Sequence, residues 1–174
     1  MKASFRWFVR FFLVCCLLLV LHFPNAAWGE RILEVTEGDQ AYSFTLQDLN
    51  GHKVRLSDYK GKTVLLFFMT TWIRDCEKMI PDLKEMYSHY GSKGLVVLNI
   101  DVSESRKRAA RFSREHDIPY QTLLDNDGKV ALKYGVFGVP VVVLINGEGR
   151  IICWDCPSVE KLNNLLEQQF ERKD

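Results

Sequence analysis

The cysteines of this 174-residue chain fall in three places: Cys15 with Cys16, Cys76 alone, and Cys153 with Cys156, the last two separated by Trp154 and Asp155. Thiol-disulfide exchange needs an exposed thiolate to attack and a second thiol to release the product, so two cysteines spaced by two residues form its natural unit. Cys76 ends such a unit, Ile73-Arg74-Asp75-Cys76, whose leading position holds isoleucine. At the start of a helix the leading position faces unpaired amides and the positive dipole end, which stabilise a thiolate. The position three residues later lies one turn inward. Ile73 therefore puts an inert hydrocarbon outside and leaves Cys76 in the shielded place, where burial opposes ionisation. The ordinary two-cysteine cycle cannot run over residues 73–76.

The late pair poses a different problem. In a regular strand, residues three apart point to opposite faces and lie about 10 Å apart, beyond disulfide reach. A Cys153–Cys156 bond thus requires a turn, and Pro157 allows the strand to end at Cys156. Pairing Val141 to Ile145 with Arg150 to Trp154 across the turn Asn146-Gly147-Glu148-Gly149 brings Cys156 back beside Val139 and Pro140. Either Cys76 works with Cys156 or Cys153 as a rearranged redox site, or all three pack as small hydrophobes. In an exported chain the odd cysteine suggests a reactive thiol or a mixed disulfide with a partner.

Hydrophobic patterning supplies the elements that must position these sulfurs. Thr63 to Met69 is a continuous apolar run of strand length, suited to a central strand covered on both faces. Met79, Ile80, Leu83, Met86, Tyr87 and Tyr90 recur at helical spacing over 73–90, with Gly91 as a stop and Pro81 as a kink site. A buried strand follows over 95–102, then a helix over 105–117, a strand start over 121–124, the hairpin of 141–154 and a last helix over 159–170. Helices alternating with apolar strands imply parallel pairing through right-handed crossovers. No internal repeat, low-complexity tract or interdomain linker interrupts the chain.

Lys2, Arg6 and Arg10 precede an apolar stretch from Phe11 to Leu21, followed by Pro24 and the small-x-small site Ala27-Trp28-Gly29. This is the layout of a secretory signal peptide over residues 1–29, leaving a single domain over 30–174. The stretch is shorter than the roughly 20 residues of a membrane span, with an uncleaved membrane anchor as the alternative. Cys15 and Cys16 leave with a cleaved signal. Cleavage changes the net charge from +1 to −2, with 20 Lys and Arg against 22 Asp and Glu. The only basic cluster, Arg106-Lys107-Arg108 with Arg111 and Arg114, reads as a solvated helix face beside Glu104 and Glu115, so nucleic-acid binding is excluded.

Several spaced motifs carry a resemblance. They are Phe44 to Gly51, Val54 to Lys62, Phe67 to Cys76 with Trp72, Leu124-Asp125-Asn126-Asp127-Gly128, and Tyr134-Gly135-Val136-Phe137-Gly138-Val139-Pro140. From about Tyr42 to Leu166 the chain resembles the thioredoxin superfamily, and within it the TlpA/ResA-like periplasmic thiol-disulfide oxidoreductases, with the first cysteine of the motif absent. The resemblance implies an α/β, thioredoxin-like fold with a central mixed sheet flanked by helices and an amino-terminal extension. It also implies a cis Val139–Pro140 bond that leaves preceding backbone groups free for an extended substrate chain, with Trp72 flanking the groove.

Two other chemistries fit poorly. Phe67-Phe68 followed by Cys76 has the spacing of a peroxiredoxin strand and peroxidatic cysteine, but Ile73 and Met69 stand where that site has Thr and Pro. Zinc bound by Cys153 and Cys156 lacks a second closely spaced ligand pair among His52, His89 and His116. The expectation is therefore an exported thiol-disulfide oxidoreductase acting on protein thiols and disulfides, without metal or cofactor. Cys76, Cys156 and Cys153 are its candidate catalytic residues, and Trp72, Val139 and Pro140 its candidate substrate contacts. The alternative is a redox-silent module that binds extended polypeptide.

Overall fold

The computed structural model describes residues 35–171; the expected signal segment, with Cys15 and Cys16, lies outside the described residues. A short amino-terminal hairpin, β1 (Thr45–Asp48) and β2 (Lys53–Arg55), precedes the central elements. These are β3 (Thr63–Met69), α1 (Arg74–Tyr90), β4 (Leu95–Val102), α2 (Arg106–Glu115) and β5 (Gln121–Asp125). A short α3 (Lys129–Lys133), the hairpin β6 (Val141–Ile145) and β7 (Ile151–Trp154), and α4 (Val159–Glu171) complete the domain. The seven strands form one mixed sheet in the order β2-β1-β5-β4-β3-β6-β7.

Strand β3 organises the sheet because all of its residues are buried. It pairs in parallel with β4 and antiparallel with β6, and its side chains alternate between two cores. Val64, Leu66 and Phe68 face the core that contains Tyr134 and Phe44. Leu65, Phe67 and Met69 face the core closed by α1, by Phe112 of α2 and by Leu162 and Leu166 of α4. Helix α1 presents Cys76, Ile80, Leu83, Met86 and Tyr90 to that second core, the three-and-four spacing of an apolar helix stripe. Pro81 lies inside α1, and the helix continues past it.

The first core is fastened by one tyrosine. The Tyr134 hydroxyl donates to the Tyr42 carbonyl at 2.8 Å, while its own carbonyl accepts from the Trp154 indole at 2.8 Å. Its ring meets Tyr42, Phe44 and Phe68. At the outer side of β7, residues 38–41 form a strap. Gly38 donates to the Ile151 carbonyl at 2.7 Å, Ile151 donates to Asp39 at 2.9 Å, and Ala41 donates to Gly149 at 2.9 Å.

Candidate active site

Strand register collects the candidate residues at one end of the sheet. Phe68 pairs with Val141, so the loop that follows β3 and carries Trp72 lies at the same end as the loop before β6, which carries Val139 and Pro140. β7 runs antiparallel to β6, with Trp154 opposite Val143, and the Cys156 amide donates to the Val142 carbonyl at 3.1 Å. Cys156 thus arrives two residues from Pro140. The Val139–Pro140 peptide bond is cis.

Ile73 occupies the N-cap of α1 in an extended conformation, one residue before the helix begins, and offers no side-chain cap. It packs half-buried against the second core. Asp75 and Glu77 in the first turn complement the helix dipole, and Lys78 bonds Asp75 at 2.7 Å and holds its carboxyl below the usual range. Cys76 is a free thiol with no solvent exposure. Burial pushes its thiol up, and the Asp75 and Asp101 carboxylates add to that effect. In this position it is a poor nucleophile.

The late cysteines depart from the extended-strand expectation. β7 stops at Trp154, and Asp155 adopts a left-handed conformation with φ of 49°. That turn brings the Cα atoms of Cys153 and Cys156 to 5.6 Å and a disulfide joins them. The expected approach of Cys156 to Cys76 for pairing is thereby corrected: Cys156 takes its bond from Cys153, three residues away, and Cys76 remains unbonded. All three sulfurs still share the second core, Cys153 and Cys76 fully buried and Cys156 half-buried at its margin.

Two acidic residues beneath the Trp72 loop were not singled out by sequence. Glu104 accepts hydrogen bonds from the Thr71 amide and hydroxyl and pairs with Arg108 at 3.3 Å. Asp101, opposite Met69 in the ladder, is almost completely buried, and no protein donor meets either of its oxygens. Burial, then the neighbouring Glu104 carboxylate, pushes its carboxyl up to about 8, against a smaller opposing pull from Arg108. A carboxyl in the buried run of β4, where Asn99 is the other polar residue, is the signal that could have found it. Among the described residues no group of three or more potential ligands is placed to hold a metal.

Parallel strands β3, β4 and β5 with antiparallel β6 beside β3, a helix that follows β3, and a cis-proline loop before β6 define a thioredoxin-like domain. The AhpC/TSA family model matches residues 37–153. The chain belongs to that family and is a TlpA/ResA-like member of the thioredoxin superfamily. It is 33% identical over 154 residues to the thiol-disulfide oxidoreductase ResA of Bacillus subtilis, covering 87% of this chain and 86% of the relative. The ResA of Geobacillus thermodenitrificans is 31% identical over 152 residues, 87% of each chain. Among solved structures, the thioredoxin domain of a Bacteroides vulgatus thiol-disulfide oxidoreductase superposes with a TM-score of 0.72 at 26% identity, over 79% of this chain and 99% of that one. A thiol:disulfide interchange protein from Bacteroides sp. gives 0.72 at 26% identity, over 79% and 91%.

Proposed function

We propose that this protein is an exported thiol-disulfide oxidoreductase acting on protein thiols and disulfides, with Cys153–Cys156 as its redox pair. The observation that carries this reading is the disulfide itself, closed at two-residue spacing beside the start of β6 and offering solvent only its Cys156 end. A substrate thiolate attacks the Cys156 sulfur, the Cys153–Cys156 bond breaks, and Cys153 leaves and takes up a proton. The second substrate thiolate then attacks the substrate sulfur of the mixed disulfide and frees Cys156. The substrate loses two electrons and the protein gains two. In the reverse direction Cys156 attacks and Cys153 resolves.

Val139 and Pro140 form the wall along which an extended substrate lies, and Trp72 flanks it. Cys76, buried and unbonded, is the reserve thiol of the same core, not the attacking one. Residues 1–29 direct export, to the periplasm or its equivalent, either as a cleaved signal or as a retained anchor, and residues 30–174 form the redox domain.

The test is catalysed reduction of a protein disulfide by dithiothreitol, compared among the parent, Cys156→Ser and Cys76→Ala. The expected result is activity in the parent and in Cys76→Ala, and loss in Cys156→Ser. Activity that survives in Cys156→Ser rejects the late pair. A parent no faster than the uncatalysed reaction favours a redox-silent binding module instead, a reading supported by Ile73 at the N-cap and the complete burial of Cys76.

A further inference from the structure

Three large hydrophobic side chains stand exposed among the described residues: Trp72, Leu132 and Phe137. Single exposed hydrophobes are ordinary on a protein surface, but two of these are 69% and 71% exposed at the reactive end of the sheet. Trp72 lies three residues beyond β3 and Phe137 four residues before β6, and those two strand ends are paired through Phe68 and Val141. The loop that carries Phe137 is anchored, because Tyr134 and Val136 on one side and Val141 on the other are buried. Phe137 is therefore held outward by neighbours that face inward.

The surface at the Phe137 loop is open and not an enclosed cavity, which suits a chain and not a compact ligand. A Cβ added at Gly138 would meet nothing within 4 Å, so the surface above this loop is open. Among the described residues, neither the amide nor the carbonyl of Val139 has a hydrogen-bond partner, and both can pair with an extended backbone. The half-buried Cys156 sulfur at the same end requires that the chain carry a thiol or disulfide.

The geometry points to Phe137, acting with Trp72, as the residue that selects extended polypeptides bearing a bulky apolar side chain beside the reacting cysteine. This inference rests on the redox function proposed above for Cys153–Cys156. Covering roughly 60 Å² of apolar surface is worth about a factor of ten in affinity. A polar or glycine-flanked cysteine forgoes that factor.

The experiment uses the full chain and two synthetic peptides that differ only in whether phenylalanine or glycine flanks a single cysteine. Exchange rates with each give a selectivity ratio, expected near ten for the parent and near one for Phe137→Ser. Leu132→Ser alters the remaining exposed hydrophobe and is expected to keep the parent ratio. A ratio unchanged in Phe137→Ser, or equally collapsed in Leu132→Ser, overturns the inference. Noncovalent binding of the same peptides with cysteine replaced by serine, read by anisotropy of a labelled terminus, gives the ratio without any exchange step. Failure of the redox reading therefore leaves this ratio measurable, and a binding ratio near one in the parent also overturns the selectivity.

Discussion

Glu104 holds Thr71 by two hydrogen bonds, one from the backbone amide at 2.7 Å and one from the side-chain hydroxyl at 2.9 Å. This contact joins the loop after β4 to the loop after β3, and so fixes the segment from which Trp72 projects. Hydrogen bonds to a charged acceptor contribute about 1.5–3 kcal/mol each, and removing the acceptor also leaves the half-buried Thr71 donors unpaired. Glu104→Ala is expected to lower unfolding stability by about 3 kcal/mol, with Glu104→Gln losing less because it still accepts. Chemical denaturation of both variants checks the order.

Asp101 makes stability depend on pH in an unusual direction for a carboxyl. Its proton is retained up to about 8 in the folded protein, whereas the unfolded chain releases it near the ordinary 3.8. Between those values the folded state binds the extra proton, so this group's contribution is complete at acid pH and is lost as pH rises toward 8. Asp101→Asn is expected to flatten that slope and to be the more stable protein at pH 9, by more than about 1 kcal/mol. Unfolding curves from pH 4 to 9 that fall in parallel for parent and variant would contradict it.

Closing the four-residue loop between Cys153 and Cys156 removes chain entropy worth about 2 kcal/mol. Reduction is expected to destabilise the parent by that amount and to leave a Cys153→Ser, Cys156→Ser double variant unaffected. Denaturant midpoints with and without reductant supply the comparison.

Cys76 should resist alkylation while the protein is folded, because its sulfur is buried and its thiol is held above the ordinary range. Peptide mapping after maleimide treatment at pH 8 is expected to find residue 76 unlabelled in native protein and labelled after denaturation. Rapid native labelling would show that α1 opens at its first turn.

Ile73→Cys restores a thiol at the N-cap, one helical turn from Cys76. A second disulfide, 73 to 76, is expected under oxidising conditions, together with reductase activity that survives Cys156→Ser. Mass mapping of the bond and the dithiothreitol-coupled assay read the two effects separately.

The elements around β3 and α1 were legible because burial imposes a period on their sequence. The apolar run of 63–69 fits a strand covered on both faces, and the stripe from Ile80 to Tyr90 a one-sided helix. Even the return of Cys156 toward Pro140 followed from counting along the hairpin. The bond between Cys153 and Cys156 did not, because it depends on a single left-handed residue, Asp155, and an aspartate in that conformation has no periodic signature. The short helix α3 was missed for a related reason: it is held by tertiary capping, with Asp125 accepting from the amides of Val130 and Ala131. The strands β1 and β2 are too short for their alternation to register. The carboxyls under Trp72, Asp101 and Glu104, come from one segment, and its approach to the loop after β3 is visible only once β3 and β4 are paired.

The strap of residues 38–41 lies against the outermost strand of the sheet, at the end opposite the disulfide. An open strand border invites a neighbouring molecule to extend the ladder, which is the route to fibrils and precipitates. Here the Ile151 amide and carbonyl are already engaged, four residues later Asp155 breaks the strand with its left-handed turn, and Pro157 follows Cys156. Only a stub of free backbone lies between them. The same bend that closes the sulfur pair thus also shortens the stretch of border to which another strand could add.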